Sequence, residues 1–107
     1  MVYRVNLTER VLRELDDIHA EINVLGSAGA ALWFARLEDT IQLLASAPRM
    51  GKPAREAPGV REIIYGNKPH FYRVLYEIDE ITRSVAVLSI WHGRRKSPTL
   101  KRIKEVE

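Results

Sequence analysis

The sequence predicts an α+β fold of order β-α-α-β-β-β, an N-terminal helical hairpin packed on a small, twisted, mainly antiparallel sheet. Two observations carry the prediction. Between residues 9 and 47 apolar residues recur at steps of three and four, the period of helices that bury one face. From residue 60 to 91 the chain changes to runs of β-branched and aromatic residues separated by turn-forming segments. The short links between those runs imply an antiparallel meander.

Each element follows from its residues. Val2-Tyr-Arg-Val-Asn-Leu7 alternates apolar and polar side chains as a half-buried strand does, and Thr8 suits the N-cap of the helix that follows. That helix runs from Glu9 to about Leu25, with Val11, Leu15, Ile18, Ile22 and Leu25 on one side. Gly26-Ser-Ala-Gly29 breaks it, and Ala30, Phe34, Leu37, Ile41 and Leu44 mark a second helix ending near Pro48. A link this short makes the two helices an antiparallel hairpin. The stretch Pro48-Arg-Met-Gly-Lys-Pro-Ala-Arg-Glu-Ala-Pro-Gly59 is expected to be an irregular loop that supplies no core. Strands are expected at Val60–Tyr65, Phe71–Ile78 and Val85–Trp91. In the middle one Tyr72, Val74, Tyr76 and Ile78 share a face that should pack on the helices. The tail after Pro98 has the pattern of a short helix with Leu100, Ile103 and Glu107 on one side.

At 107 residues and 46% hydrophobic content the chain fits one domain, residues 1–107, with a single core. It contains no cysteine, which excludes disulfides, zinc-thiolate and iron-sulfur sites and thiol nucleophiles, and favours a reducing cytoplasmic location. The N-terminus lacks the apolar core of a signal peptide, and no apolar run reaches membrane-spanning length, so no membrane partner is expected.

Charge is unevenly distributed. Residues 1–47 hold four arginines against seven acids, a net of −3, whereas residues 48–107 hold 13 lysines and arginines against seven acids, a net of +6. The C-terminal half should therefore meet an acidic partner, either nucleic acid or an acidic protein segment.

The chain has no phosphate-binding glycine loop, no His-Glu-x-x-His and no Gly-x-Ser-x-Gly, so nucleotide hydrolysis, zinc proteolysis and serine-hydrolase chemistry have no support. His19, His70 and His92 are too far apart in sequence to pair as metal ligands at helical spacing, and neither metal nor cofactor is expected. Asp16-Asp17 reads as a solvated helix face. The chemistry concentrates instead at Trp91-His92-Gly93-Arg94-Arg95, where an apolar strand ends in an aromatic, an imidazole and two fixed cations. Arg61 and Arg73 lie on neighbouring predicted strands, and a sheet can bring them to one face beside Arg94 and Arg95. Guanidiniums so grouped clamp phosphates or carboxylates. Arg73 has two readings, an ion pair with Glu62 or Glu77 or a contact to an external anion; Trp91 is either core or a stacking platform.

The order of these features, strand, helical hairpin, Pro48-Arg-Met-Gly51, Gly59-Val-Arg61, Gly66, Phe71-Tyr-Arg-Val-Leu-Tyr76 and His92-Gly-Arg-Arg95, resembles the RelE/ParE superfamily of toxins from type II toxin-antitoxin modules over nearly the whole chain. The resemblance implies a small antitoxin partner in a hetero-oligomer and one of two activities. RelE-like members cleave messenger RNA on the ribosome; on that pattern Arg73 and Arg95 fall at phosphate-contacting positions and His92 would carry a proton. The tail after Arg95 holds no tyrosine or histidine where that pattern places a catalytic one, and Lys101 stands at the approximate position. ParE-like members inhibit DNA gyrase without chemistry of their own, and the Gly59 to Gly66 to Tyr72-Arg73-Val74 spacing is closer to ParE. On either branch Arg61, Arg73, Trp91, His92, Arg94 and Arg95 are the expected surface for target or antitoxin. A non-toxic binding module of the same fold is the third reading.

Overall fold

The computed structural model describes residues 2–67 and 70–92. The chain runs β1 (Arg4–Leu7), α1 (Glu9–Leu25), α2 (Ala28–Gln42), a 3₁₀ turn (Leu43–Ala45), β2 (Lys52–Pro53), β3 (Val60–Asn67), β4 (His70–Asp79) and β5 (Ser84–His92). The predicted order is observed, with one short strand added. The tail helix expected after Pro98 lies outside the described residues.

Capping residues start and stop the helices. Thr8 Oγ1 accepts the Val11 N–H at 3.3 Å and donates to the Val87 carbonyl at 2.9 Å, so one hydroxyl both caps α1 and ties it to β5. Gly26, at φ +62°, takes the left-handed conformation that ends α1. Ser27 Oγ then accepts the Ala30 N–H at 3.0 Å, so α2 begins two residues earlier than the break Gly26 to Gly29 predicts.

The sheet order is β1-β5-β4-β3-β2. β3, β4 and β5 form the expected antiparallel meander, while β1 pairs parallel with β5, from Arg4 opposite Ser84 to Leu7 opposite Val87. Tyr72, Val74, Tyr76 and Ile78 face the hairpin as predicted. Val74 and Tyr76 are buried with Val11 and Ile18 of α1 and Phe34, Leu37 and Ile41 of α2.

The expectation for residues 48–59 is corrected on both counts. Lys52 and Pro53 form β2 on Arg61 and Glu62, and Ala54 and Ala57 are buried with Val60, Leu75 and Leu88. Small side chains let the segment lie flat across the sheet face that the helices leave open. Tyr76 anchors its start: the hydroxyl donates to the Pro48 carbonyl at 2.7 Å and accepts the Gly51 N–H at 3.0 Å. Gly51 is required there, because a Cβ would stand 2.5 Å from the Glu62 carbonyl oxygen and 2.6 Å from the Tyr76 hydroxyl.

Candidate functional site

β5 carries the strand end that the sequence singles out, and an irregularity fixes its geometry. Leu75 faces Ser89 while Tyr76 faces Val87, so Leu88 is an extra residue on β5, a β-bulge. Before it Val85 and Val87 belong to the helix-side core; beyond it Ile90 does, and His92 stands opposite Tyr72. The His92 and Tyr72 rings meet edge to face with centroids 5.0 Å apart. Trp91, half-buried, lies directly opposite Arg73 on the other face of the sheet.

Arg73 makes the ion pair that one of its two readings expects. Its Nε donates to Glu62 at 2.5 Å, and Nη1 and Nη2 donate to the two oxygens of Glu56 at 2.6 and 2.7 Å. The side chains of Arg73 and Glu56 are only 8% and 3% exposed, so the group is sheltered from water. Lys52 Nζ lies 3.8 Å from Glu62 and extends the pair into a chain of alternating charge. The bond to Glu56 raises the Arg73 pKa most, against desolvation, and keeps the guanidinium charged. Glu62 was an expected partner; Glu77 is replaced by Glu56.

Arg61 does not join Arg73. It pairs across the ladder with Tyr76, which puts it on the helix side, and its Nη1 donates to the Gly51 carbonyl at 2.7 Å. The expectation that Arg61 and Arg73 share a sheet face is therefore corrected: three ladder positions separate Tyr76 from Arg73, and an odd separation means opposite faces. Arg61 and Tyr76 together fasten the Pro48-Arg-Met-Gly51 segment. Arg94 and Arg95 lie outside the described residues.

Two acids that the sequence reading passed over matter here. Glu56 sits in the segment taken for irregular loop, and nothing local marks it as a partner of Arg73. Glu14 had a signal, since it falls between Val11 and Ile18 on the buried stripe of α1. Its Oε1 accepts the Ile90 N–H at 2.9 Å, and the Ser89 hydroxyl donates to Oε2 at 3.1 Å. Burial raises the Glu14 pKa, partly opposed by the Ile90 N–H and by Arg10. Beside it, Glu14, Asp17, Glu21, Tyr72 and His92 line a notch of about 280 Å³. A larger, open groove of about 510 Å³ runs between α2 and β3, lined by Trp33, Arg36, Thr40, Leu43 and Tyr65. Among the described residues no cluster of histidines and acids is arranged to hold a metal ion, and no helix is long and apolar enough to cross a membrane.

Comparison with known proteins adds three findings. A family model described as the ParE toxin of the type II toxin-antitoxin system parDE matches residues 5–97. Y4kP of Sinorhizobium fredii, a protein described as a candidate toxin, is 33% identical over 95 residues, 89% of this chain and 93% of the relative. Among solved structures, the chromosomal ParDE system from P. aeruginosa superposes with a TM-score of 0.68 at 19% identity, over 85% of this chain and 96% of that one. A mutant E. coli toxin RelE in the free state gives 0.63 at 17% identity, over 99% and 94%. The toxin-antitoxin complex RelBE2 from Mycobacterium tuberculosis gives 0.57 at 28%, over 86% and 99%. These structural likenesses carry the fold.

Proposed function

Since the chain belongs to the ParE toxin family of type II toxin-antitoxin systems, within the RelE/ParE superfamily, we propose that it arrests growth by binding and inhibiting DNA gyrase rather than by cutting messenger RNA. The observation that carries this reading is the state of Arg73. A nuclease site would need that guanidinium to grip the scissile phosphate, yet Nε, Nη1 and Nη2 all donate to Glu56 and Glu62. An approaching phosphate would have to displace one carboxylate and lie against the other, both sheltered from screening solvent. His92, the proton carrier of the RelE-like reading, also faces the opposite side of the sheet from Arg73. A pair that does not converge supports recognition over catalysis.

The recognition surface is then the end of β5, Trp91 and His92 with Arg94 and Arg95 following in sequence, in the half of the chain with a net charge of +6. The partner that silences the toxin is a cognate antitoxin, as in the toxin-antitoxin complexes that share this fold. Acidic side chains of that partner would meet the basic strand end, and apolar ones the groove between α2 and β3. The site of action is cytoplasmic. Supercoiling by purified gyrase should fall as the protein is added, and Arg94→Ala with Arg95→Ala should restore it. Unchanged supercoiling at saturating protein removes the reading, and cut message from translating ribosomes would put the RelE-like activity in its place. Growth arrest on induction without the antitoxin excludes the non-toxic binding module.

A further inference from the structure

We propose that Glu14 is a positioning residue: reaching across from α1, it holds the bulge in β5 and so decides which face of the sheet the recognition residues occupy. The proposal rests on the reading of the β5 end as the recognition surface. Its physical basis is the two-residue period of a strand. One extra residue shifts the phase of everything beyond it, and the same residue breaks the regular ladder. In β5 the extra residue is Leu88, and the phase shift is visible on either side. Val87 lies in the helix-side core opposite Tyr76, and three residues later, not two or four, Ile90 lies in the same core opposite Val74. His92 follows Ile90 onto that side and meets Tyr72, while Trp91 is placed opposite Arg73.

β1 ends opposite Val87, so from the bulge onward that side of β5 has no strand to accept an amide, and Glu14 supplies the acceptor there. One carboxylate oxygen takes the Ile90 N–H at 2.9 Å, and the Ser89 hydroxyl donates to both oxygens at 3.1 and 3.3 Å. Arg10, one turn earlier on α1, has its Nε 3.5 Å from Oε2 and steadies the same carboxylate. Neighbours of Glu14 on the helix, Val11 and Ile18, fill the apolar core and offer no acceptor. A slip that returned Leu88 to the ladder would carry His92 away from Tyr72 and exchange its face with that of Trp91.

The test compares Glu14→Ala, Glu14→Asp and Glu14→Gln in the full chain. Glutamine keeps an oxygen for the Ile90 N–H and loses the charge; aspartate keeps the charge and falls one methylene short. NMR cross-peaks between the His92 and Tyr72 rings report the phase of β5 without any target present. They should persist in Glu14→Gln and vanish in Glu14→Asp and Glu14→Ala, and the aspartate variant serves if alanine does not fold. The dose of toxin needed to arrest growth should rise about tenfold or more in the same two variants, the equivalent of one lost buried hydrogen bond. Rescue by glutamine is the outcome that a role through charge alone would not give. Cross-peaks that persist in the aspartate and alanine variants, or disappear in the glutamine variant, overturn the proposal. Undiminished arrest by the Arg94→Ala, Arg95→Ala double variant instead overturns the recognition reading, and the functional half of this proposal with it, while the cross-peaks still decide the bulge.

Discussion

Replacing Arg73 with alanine removes the central cation of a buried chain of charges, and the expected result is loss of stability rather than selective loss of toxicity. Three short hydrogen bonds disappear together, to Glu62 and to both oxygens of Glu56. Two carboxylates, 3% and 10% exposed, are then left without their cation. Breaking a buried ion pair by removing one partner costs about 3–5 kcal/mol. With an unfolding entropy of about 2.1 cal/mol/K per residue, a chain of this length loses about 4 °C of Tm per kcal/mol, which predicts a fall of about 13–22 °C. Thermal unfolding followed by circular dichroism measures it directly. A companion variant, Arg73→Met with Glu56→Met and Glu62→Met, removes all three charges and should recover most of the loss, because apolar side chains of similar volume spare the desolvation of the ions. A Tm within about 3 °C of the unsubstituted chain in Arg73→Ala, accompanied by full loss of toxicity, would overturn the structural role and return Arg73 to the functional site.

Other outcomes follow from the same geometry. Tyr76→Phe deletes the hydroxyl that joins the Pro48 carbonyl to the Gly51 N–H, both buried, and should cost about 1–3 kcal/mol, read as a lower urea midpoint at unchanged m-value. Gly51→Ala should cost a similar amount, about 1–3 kcal/mol, by forcing the segment off β3, and should speed proteolysis between residues 48 and 59. Glu14 has its pKa raised above the ordinary 4.5 by burial. Its contribution to stability is therefore greatest below that value and is lost as pH rises through the raised one. The Tm of Glu14→Gln minus that of the unsubstituted chain should accordingly become more positive between pH 4 and pH 7, and a difference that is flat or falls with pH would contradict the assigned burial. Alanine at both Arg94 and Arg95 should weaken growth arrest on induction, and undiminished arrest would take the two arginines out of the recognition surface.

Local periodicity made most of the fold legible. The helices announced themselves through Val11, Ile18, Phe34 and Leu37, and the inward face of β4 through Tyr72, Val74 and Tyr76, because burial on one side imposes a repeat that can be counted. What stayed hidden was non-local. The parallel pairing of β1 with β5 depends on chain direction across 80 positions, from Arg4 to Ser84, and the pattern of an isolated four-residue strand does not state its partner. Prolines and glycines in residues 48–59 signalled loop, and they do break regular structure there. The same small residues let Ala54 and Ala57 pack on Leu75 and Leu88, so composition concealed a layer of core. The bulge at Leu88 had the same effect on the site. Counting by twos from Val85 puts Trp91 toward the helices, whereas the extra residue puts it on the side of Arg73. The separation of Arg61 from Arg73 was legible in parity alone, once β3 and β4 were known to pair as Arg61 with Tyr76.

The position of β5 in the sheet has a consequence for when the protein comes into being. It is the last of the described strands to leave the ribosome, and it lies between β4 and β1, the first of them. Until it arrives β1 has no strand partner, α1 lacks the Ile90 amide and the Val87 carbonyl that receive Glu14 and Thr8, and the core is open along its middle. Contacts of such long sequence separation form late and slowly, since the loop must close before any pairing rewards it. The interval before β5 docks is therefore one in which β1 and α1 stand uncovered, and a partner waiting for the emerging chain can bind it before the sheet closes.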